Sequence, residues 1–291
     1  MWFIFALAST AFSGMQSFMN KVSIERGCDT YYIAALSSCV SLAFSLLLLL
    51  VSPTSLWSMP TILFYLALAS GVLYLGRVIT QLESLQYIHT TLFFPLYKVI
   101  GPAVVTFLGV VLLKDHVSTP ALIGIVLSCC VPLLLITRAE GSRQKNMRLG
   151  LILLGVSTLF ASVNTVLNSY AVKPYESLTI PFMIIGIAFG SIIAIGIYVR
   201  KHPWATLPEQ IRTHTTPSAL WVALGIGLFQ TSSFYFLLRA LAEGSVSIVY
   251  SVSAHYILIP VLLSVWLYGE HWNKQKAFAL CVSIIALILL H

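Results

Sequence analysis

Charge is scarce in this sequence. Only 9% of its 291 residues are Asp, Glu, Lys or Arg, where an ordinary soluble domain carries about 25%. Acids are the scarcer sign, 9 Asp and Glu against 16 Lys and Arg. With 58% hydrophobic residues, the chain lacks the polar surface that a soluble protein of this length needs. What remains is an all-α, polytopic integral membrane protein.

Other absences narrow the function. There is no HExxH, GxSxG or GxGxxG pattern and no P-loop. The signatures of zinc and serine hydrolases, dinucleotide binding and ATP-driven pumping are therefore missing. The five cysteines include no CxxC pair, and four of them lie in apolar runs, where Cys acts as a small hydrophobe. Neither a disulfide framework nor a metal site is indicated. No nucleic-acid-binding motif accompanies the net charge of +7. That charge fits instead the bias of Lys and Arg toward cytoplasmic loops. The expectation is no enzyme, no cofactor, no metal and no nucleic-acid partner. The start, "MWFIFALAST", has no basic n-region, and no A-x-A-like site follows, so a retained first helix is expected.

What is present is apolar length. A spanning helix needs about 20 mainly apolar residues. Ten such runs occur, at 2–20, 31–51, 60–82, 89–113, 120–137, 149–171, 178–199, 218–238, 245–268 and 276–290. The connection at 138–148 divides them into five and five, with halves at 1–140 and 147–291. The halves resemble each other. "STAFSGMQSFMN" from Ser9 aligns with "STLFASVNTVLN" from Ser157, "GVLYLGRVITQLESL" from Gly71 with "GLFQTSSFYFLLRAL" from Gly227, and "LLKDHVS" from Leu112 with "LYGEHWN" from Leu267. The three matches keep their order. Five is odd, so a repeated five-helix unit enters the membrane upside down. Inverted repeats of this kind recur in secondary transporters, with the substrate site where the repeats meet.

Orientation follows from basic loops. Lys21, Arg26, Arg138, Arg143, Lys145, Arg148, Arg200, Lys201, Arg212, Lys274 and Lys276 fall on one side, and only Lys114, Lys173 and Arg239 on the other. The first set is expected in the cytoplasm, which leaves both termini outside.

The helix-1 box "SGMQSFMNK" and the endings "LLKDHVS" and "LYGEHWN" complete a resemblance. The chain is similar to the EamA-type ten-helix members of the drug/metabolite transporter superfamily. In that pattern helix 1 reads roughly W-G-x-N-x-x-x-x-K. Gly14, Gln16 and Lys21 stand at its last three marked positions, with Ser13 in place of the Trp and Gln16 in place of the Asn. The family's G-E-R ending is matched by Gly269-Glu270 and more loosely by Lys114-Asp115. The resemblance implies a secondary transporter, usually an exporter of amino acids or other small metabolites, often proton-driven. It also implies both termini inside, against the charge count. The expected home is a bacterial inner (plasma) membrane, the expected partners a small-molecule substrate and membrane lipid. One chain holds both halves, so a monomer suffices, and a homodimer stays open.

Charges inside spans carry the site expectation, because an intramembrane charge costs roughly 2.5–3.5 kcal/mol to insert. Arg77 lies in the third run, Lys98 in the fourth and His255 in the ninth; Glu83 lies near the end of the third. Polar stripes run through Ser70, Tyr74, Arg77, Gln81 and Ser84, through Ser247, Ser251 and His255, through Ser9, Ser13, Gln16 and Asn20, and through Ser157, Asn164 and Asn168. They are expected to face one shared cavity, or to serve helix–helix hydrogen bonding. Lys98 and Arg77 make that cavity positive and suit a carboxylate or phosphate; pairing with Glu83 or a carbonyl is the structural alternative. Tyr74, Tyr97, Tyr250 and Tyr256 offer hydrogen bonds and stacking. Gln16, Asn20, Asn164, Asn168 and Ser251 are further lining candidates. Pro95, Gly101 and Pro102 are expected to weaken the fourth helix and free backbone groups. His255 and Glu83 are the proton-coupling candidates. Two other functions stand beside this one. They are an antiporter of protons against cationic amines, polyamines or drugs, using Glu83, and a membrane-embedded enzyme.

Overall fold

An apolar segment in lipid must satisfy its own backbone hydrogen bonds, and a helix does so within itself. The computed structural model describes residues 1–28, 30–51, 58–85, 87–88, 90–134, 146–201, 216–268 and 274–291. Among them every regular element is helical. They are α1 (Trp2–Glu25), α2 (Thr30–Val51), α3 (Thr61–Leu85), α4 (Thr90–Leu113), α5 (Thr119–Leu134), α6 (Met147–Val172), α7 (Thr179–Lys201), α8 (Pro217–Glu243), α9 (Val246–Ala254), α10 (Leu258–Tyr268) and α11 (Lys274–Leu290). Among the described residues, seven segments are long and apolar enough to cross a membrane: Tyr32–Leu50, Thr61–Gln81, Pro95–Leu113, Met147–Val172, Glu176–Arg200, Pro217–Glu243 and Val246–Leu263. α5 is a shorter apolar helix. Over the described residues, the ten apolar runs fall on helix, the ninth in two pieces. Gly269-Glu270 and the basic loops around 138–145 and 202–215 lie outside the described residues.

The ninth run is split by a 3-10 turn at His255–Ile257. Pro260 follows it and has no N–H for the Tyr256 carbonyl four residues back. α4, by contrast, stays helical through Pro95, Gly101 and Pro102. α8 begins sharply because the Thr216 hydroxyl accepts from Ala219 N–H and Pro217 opens the first turn.

The helices pack mostly between the halves. α1 lies on α8 and α3 on α6; α2 touches α8 and α3 touches α7; α4 touches α6 and α1 touches α9. α2 also packs on α7, α4 on α9, and α5 on α11, while α4 and α5 pack on each other within the first half. Exchanging each helix for its counterpart in the other half turns the set of contacts between halves into itself. Two hydrogen bonds do the same at atomic scale. Ser9 Oγ donates to the Ser233 carbonyl at 2.9 Å, and Ser157 Oγ donates to the Arg77 carbonyl at 3.1 Å. Ser9 aligns with Ser157 and Arg77 with Ser233 in the sequence matches. The largest core cluster joins Val105 of α4, Phe182 of α7, Leu238 and Leu241 of α8, and Val246 and Val249 of α9. The polar cluster lies beside it, where α1, α3, α4, α6, α8 and the broken ninth run converge.

Candidate functional site

Lys98 is buried on α4. Aromatic faces surround its ammonium. Nζ lies 4.1 Å from the centre of the Tyr256 ring, 5.2 Å from Tyr97 and 5.8 Å from Tyr250. The negative face of each ring attracts the charge, and such contacts are worth about 2 kcal/mol when desolvated. Arg77, half-buried on α3, stacks its guanidinium 4.7 Å from the Tyr74 ring. Tyr97 and Tyr256 are also within its electrostatic range, and Arg77 is within that of Lys98. The two cations therefore share one neighbourhood. Among the described residues, no carboxylate forms an ion pair with either. The Lys98 carbonyl adds an acceptor, because Pro102 supplies no N–H four residues on.

An amide–phenol chain crosses between the halves beside Arg77. Gln230 Nε2 of α8 donates to the Tyr74 hydroxyl at 2.6 Å, and Gln16 Nε2 of α1 donates to Gln230 Oε1 at 3.4 Å. Tyr74 and Gln230 align with each other in the sequence matches, so this bond joins two matched positions. Ser70 Oγ donates to Asn168 Oδ1 at 2.8 Å, which ties α3 to α6. Ser13 and Ser233 hydroxyls lie 2.6 Å apart, between α1 and α8.

Three buried polar atoms in this region have no hydrogen-bond partner among the described residues: Arg77 Nε, Asn164 Oδ1 and His255 Nε2. The His255 ring is fixed from its other side, with Nδ1 at 3.0 Å from the Ser251 carbonyl and 3.2 Å from that of Val252. Both partners are acceptors, so Nδ1 carries the proton and Nε2 accepts. One open donor and two open acceptors suit a small polar solute, since a buried polar group without a partner costs about 1–3 kcal/mol.

The remaining candidates separate. Tyr250 is buried, and its hydroxyl rests where a Cβ on Gly101 would stand, 2.9 Å away. Gly101 is thus the seat of Tyr250 within a continuous helix. Ser251 is fully buried, and its hydroxyl donates to the Ser247 carbonyl within its own helix at 2.8 Å. Pro95 and Pro102 are buried. Asn20 and Glu83 are exposed. Two residues of the cluster, Gln230 and Ser233, were not among the candidates. The signal was present: Gln230 aligns with Tyr74 and Ser233 with Arg77. An apolar recess between α2 and the start of α8, lined by Leu36, Val40, Pro217, Leu220, Trp221 and Leu224, holds no polar group to orient a solute.

Comparison with known proteins bears on this fold. No curated protein matches the chain. A solved crystal structure superposes with a TM-score of 0.79 at 14% identity, over 97% of this chain and 94% of the other. At that identity the likeness establishes the fold alone, across both halves. Residues 148–291 match the model of the EamA-like transporter family. Together with the apolar spans, this identifies an integral membrane protein whose residues 148–291 belong to the EamA-like transporter family, within the drug/metabolite transporter superfamily.

Proposed function

We propose that this protein is a secondary active transporter that exports small organic solutes bearing a carboxylate, amino acids among them. The observation that carries this reading is the pair Lys98 and Arg77, held within each other's field and faced by tyrosines, not by a described carboxylate. A buried Lys98 beside a half-buried Arg77, without counter-charge, is costly, and an anionic group on the solute offsets that cost. Gln16, Tyr74, Asn164, Asn168, Tyr250 and Gln230 orient the rest of the solute, and His255 is the proton-coupling group. The mechanism is alternating access about the junction of two inverted five-helix repeats, 1–140 and 147–291, crossing the membrane ten times. Its support is the exchange of helix pairs between halves and the matched bonds Ser9–Ser233 and Ser157–Arg77. A single chain is the working unit. The membrane is a bacterial plasma membrane, with the richer set of Lys and Arg in the cytoplasm.

Thermal unfolding of the purified protein against amino acids, other carboxylates, phosphorylated metabolites, amines and polyamines tests this. A ligand of the folded state raises stability by mass action. Carboxylates are expected to stabilise the wild type and not Lys98→Ala. Stabilisation by amines alone, unchanged in Lys98→Ala, would replace this reading with amine antiport.

A further inference from the structure

α4 ends abruptly. Lys114 takes φ 55°, a left-handed backbone uncommon for a residue with a side chain. The chain folds back there, and Asp115 N–H donates to the Gly109 carbonyl at 3.1 Å. The fold-back carries the Asp115 carboxylate onto the first turn of α9. Its Oδ2 accepts from Ser245 Oγ at 2.7 Å, from Ser247 Oγ at 3.2 Å and from Ser247 N–H at 3.2 Å. Its Oδ1 lies 3.6 Å from Lys173 Nζ, just beyond α6, and the side chain is only 4% exposed. Gly109 leaves the room: a Cβ there would stand 2.7 Å from Val246 Cγ1 and 3.2 Å from Asp115 Oδ2. One buried acid of the first half thus holds three residues of the second. A strained backbone and a buried charge persist only where the surroundings fix them.

α9 runs from this carboxylate to the charged cluster. It starts at Val246 and ends at the 3-10 turn His255–Ile257, where the Tyr256 ring covers Lys98. α4 meets α9 and the turn that follows it at three levels: Gly109 with Val246, Gly101 with Tyr250, and Lys98 with Tyr256. From Lys98 to Gly109 the helix spans about 16 Å at 1.5 Å per residue.

We propose that Asp115 is the latch of a gate at this end of the molecule, and that α9 is the rod joining the latch to the Lys98–Tyr256 contact. The inference rests on the alternating-access reading above. The structure holds the latch shut. A solute anion at Lys98 competes with the Tyr256 ring for the ammonium and releases the 3-10 turn. Movement of that turn carries α9, and the gate opens when Ser245, Ser247 and Lys173 exchange Asp115 for water.

Amide hydrogen exchange on the full-length protein in lipid nanodiscs, without any solute, tests the latch. In Asp115→Ala, exchange over residues 244–251 is expected to rise about ten-fold or more, as loss of a charged acceptor implies, while α2 and α7 keep their protection. Lys173→Gln gives a smaller rise in the same place. Tyr256→Leu, at the far end of the rod, also raises it. Unchanged exchange over 244–251 in Asp115→Ala overturns the latch, and so does a rise spread evenly over all helices. A response to Asp115→Ala without one to Tyr256→Leu overturns the rod. Should Asp115→Ala fail to fold, Asp115→Asn and Lys173→Gln carry the same comparison. Because no solute is present, a failed latch leaves the carboxylate reading standing, and a failed solute screen leaves the latch standing.

Discussion

Ser9 of the first half bonds the Ser233 carbonyl and Ser157 of the second bonds the Arg77 carbonyl, yet the side chains at the paired positions diverge. Arg77 stands opposite Ser233. At the offset that pairs Leu112 with Leu267, Lys98 stands opposite Ser253. Both cations of the cluster thus come from residues 1–140, while His255 and two of the three rings around Lys98 come from the other half. Packing and chemistry answer to different demands. Two equivalent states need backbone contacts that survive exchange of the halves. A site at their junction needs each charge only once, and a duplicate pair of cations would add desolvation cost without a second solute to offset it.

The most severe way to break this division is to remove a cation. Lys98→Ala and Arg77→Ala are each expected to weaken carboxylate affinity by about 10- to 100-fold, the range for losing a hydrogen bond to a charged group. Calorimetric titration in detergent checks this. Adding Ser253→Lys to Lys98→Ala is expected to restore nothing, because the ring at 4.1 Å, Tyr256, faces the Lys98 position. Recovery of affinity would mean that the halves are interchangeable in chemistry as well as in packing.

A smaller effect is expected at the seam between α4 and the broken helix. Gly101→Ala puts a methyl 2.9 Å from the Tyr250 hydroxyl, and overpacking of this kind costs about 1–3 kcal/mol. Tyr250→Phe removes the colliding oxygen and should recover most of the loss in thermal unfolding. No recovery would mean that the backbone of α4, not Tyr250, takes up the strain.

The matched serines sharpen the comparison from the other side. Ser9→Ala and Ser157→Ala should each cost about 0.6 kcal/mol, the average for hydrogen bonds between membrane helices. Reversible unfolding in mixed micelles measures both. Equal losses support a repeat that works as a repeat. A loss at one serine only would reduce the match to shape without shared energetics.

How much of this was legible in the sequence depends on the scale of the signal. The helical runs were, because lipid demands about 20 apolar residues in a row. The correspondence of Arg77 with Ser233 is an alignment of two stretches of sequence, and the bonds Ser157–Arg77 and Ser9–Ser233 agree with it. The split of the ninth run was not legible. Pro260 marks it, but Pro95 and Pro102 mark α4 equally, and α4 stays helical. A proline fixes which carbonyl loses its partner; neighbouring packing decides whether the helix breaks. The convergence of Lys98 on Tyr256 was half legible: both residues stood out as polar or aromatic, but their contact depends on the turn at His255. Asp115 read as a loose copy of a family ending, and its reach to Ser245 and Ser247 depends on the left-handed turn at Lys114.

The smallest expected effect is also the one that separates the two transport readings. Glu83 lies on α3, two turns beyond Arg77, yet it is exposed and no ion pair joins it to Arg77 or Lys98 among the described residues. An exposed carboxylate is screened by water and salt and contributes little to a site it does not touch. Glu83→Gln is therefore expected to leave carboxylate affinity and thermal stability unchanged within error. An amine antiporter working through Glu83 gives the opposite outcome, because that carboxylate would carry both the proton and the cationic solute. Loss of amine binding or of proton-coupled flux in Glu83→Gln, with Lys98→Ala unaffected, would move the working charge from the first half's cations to the end of α3.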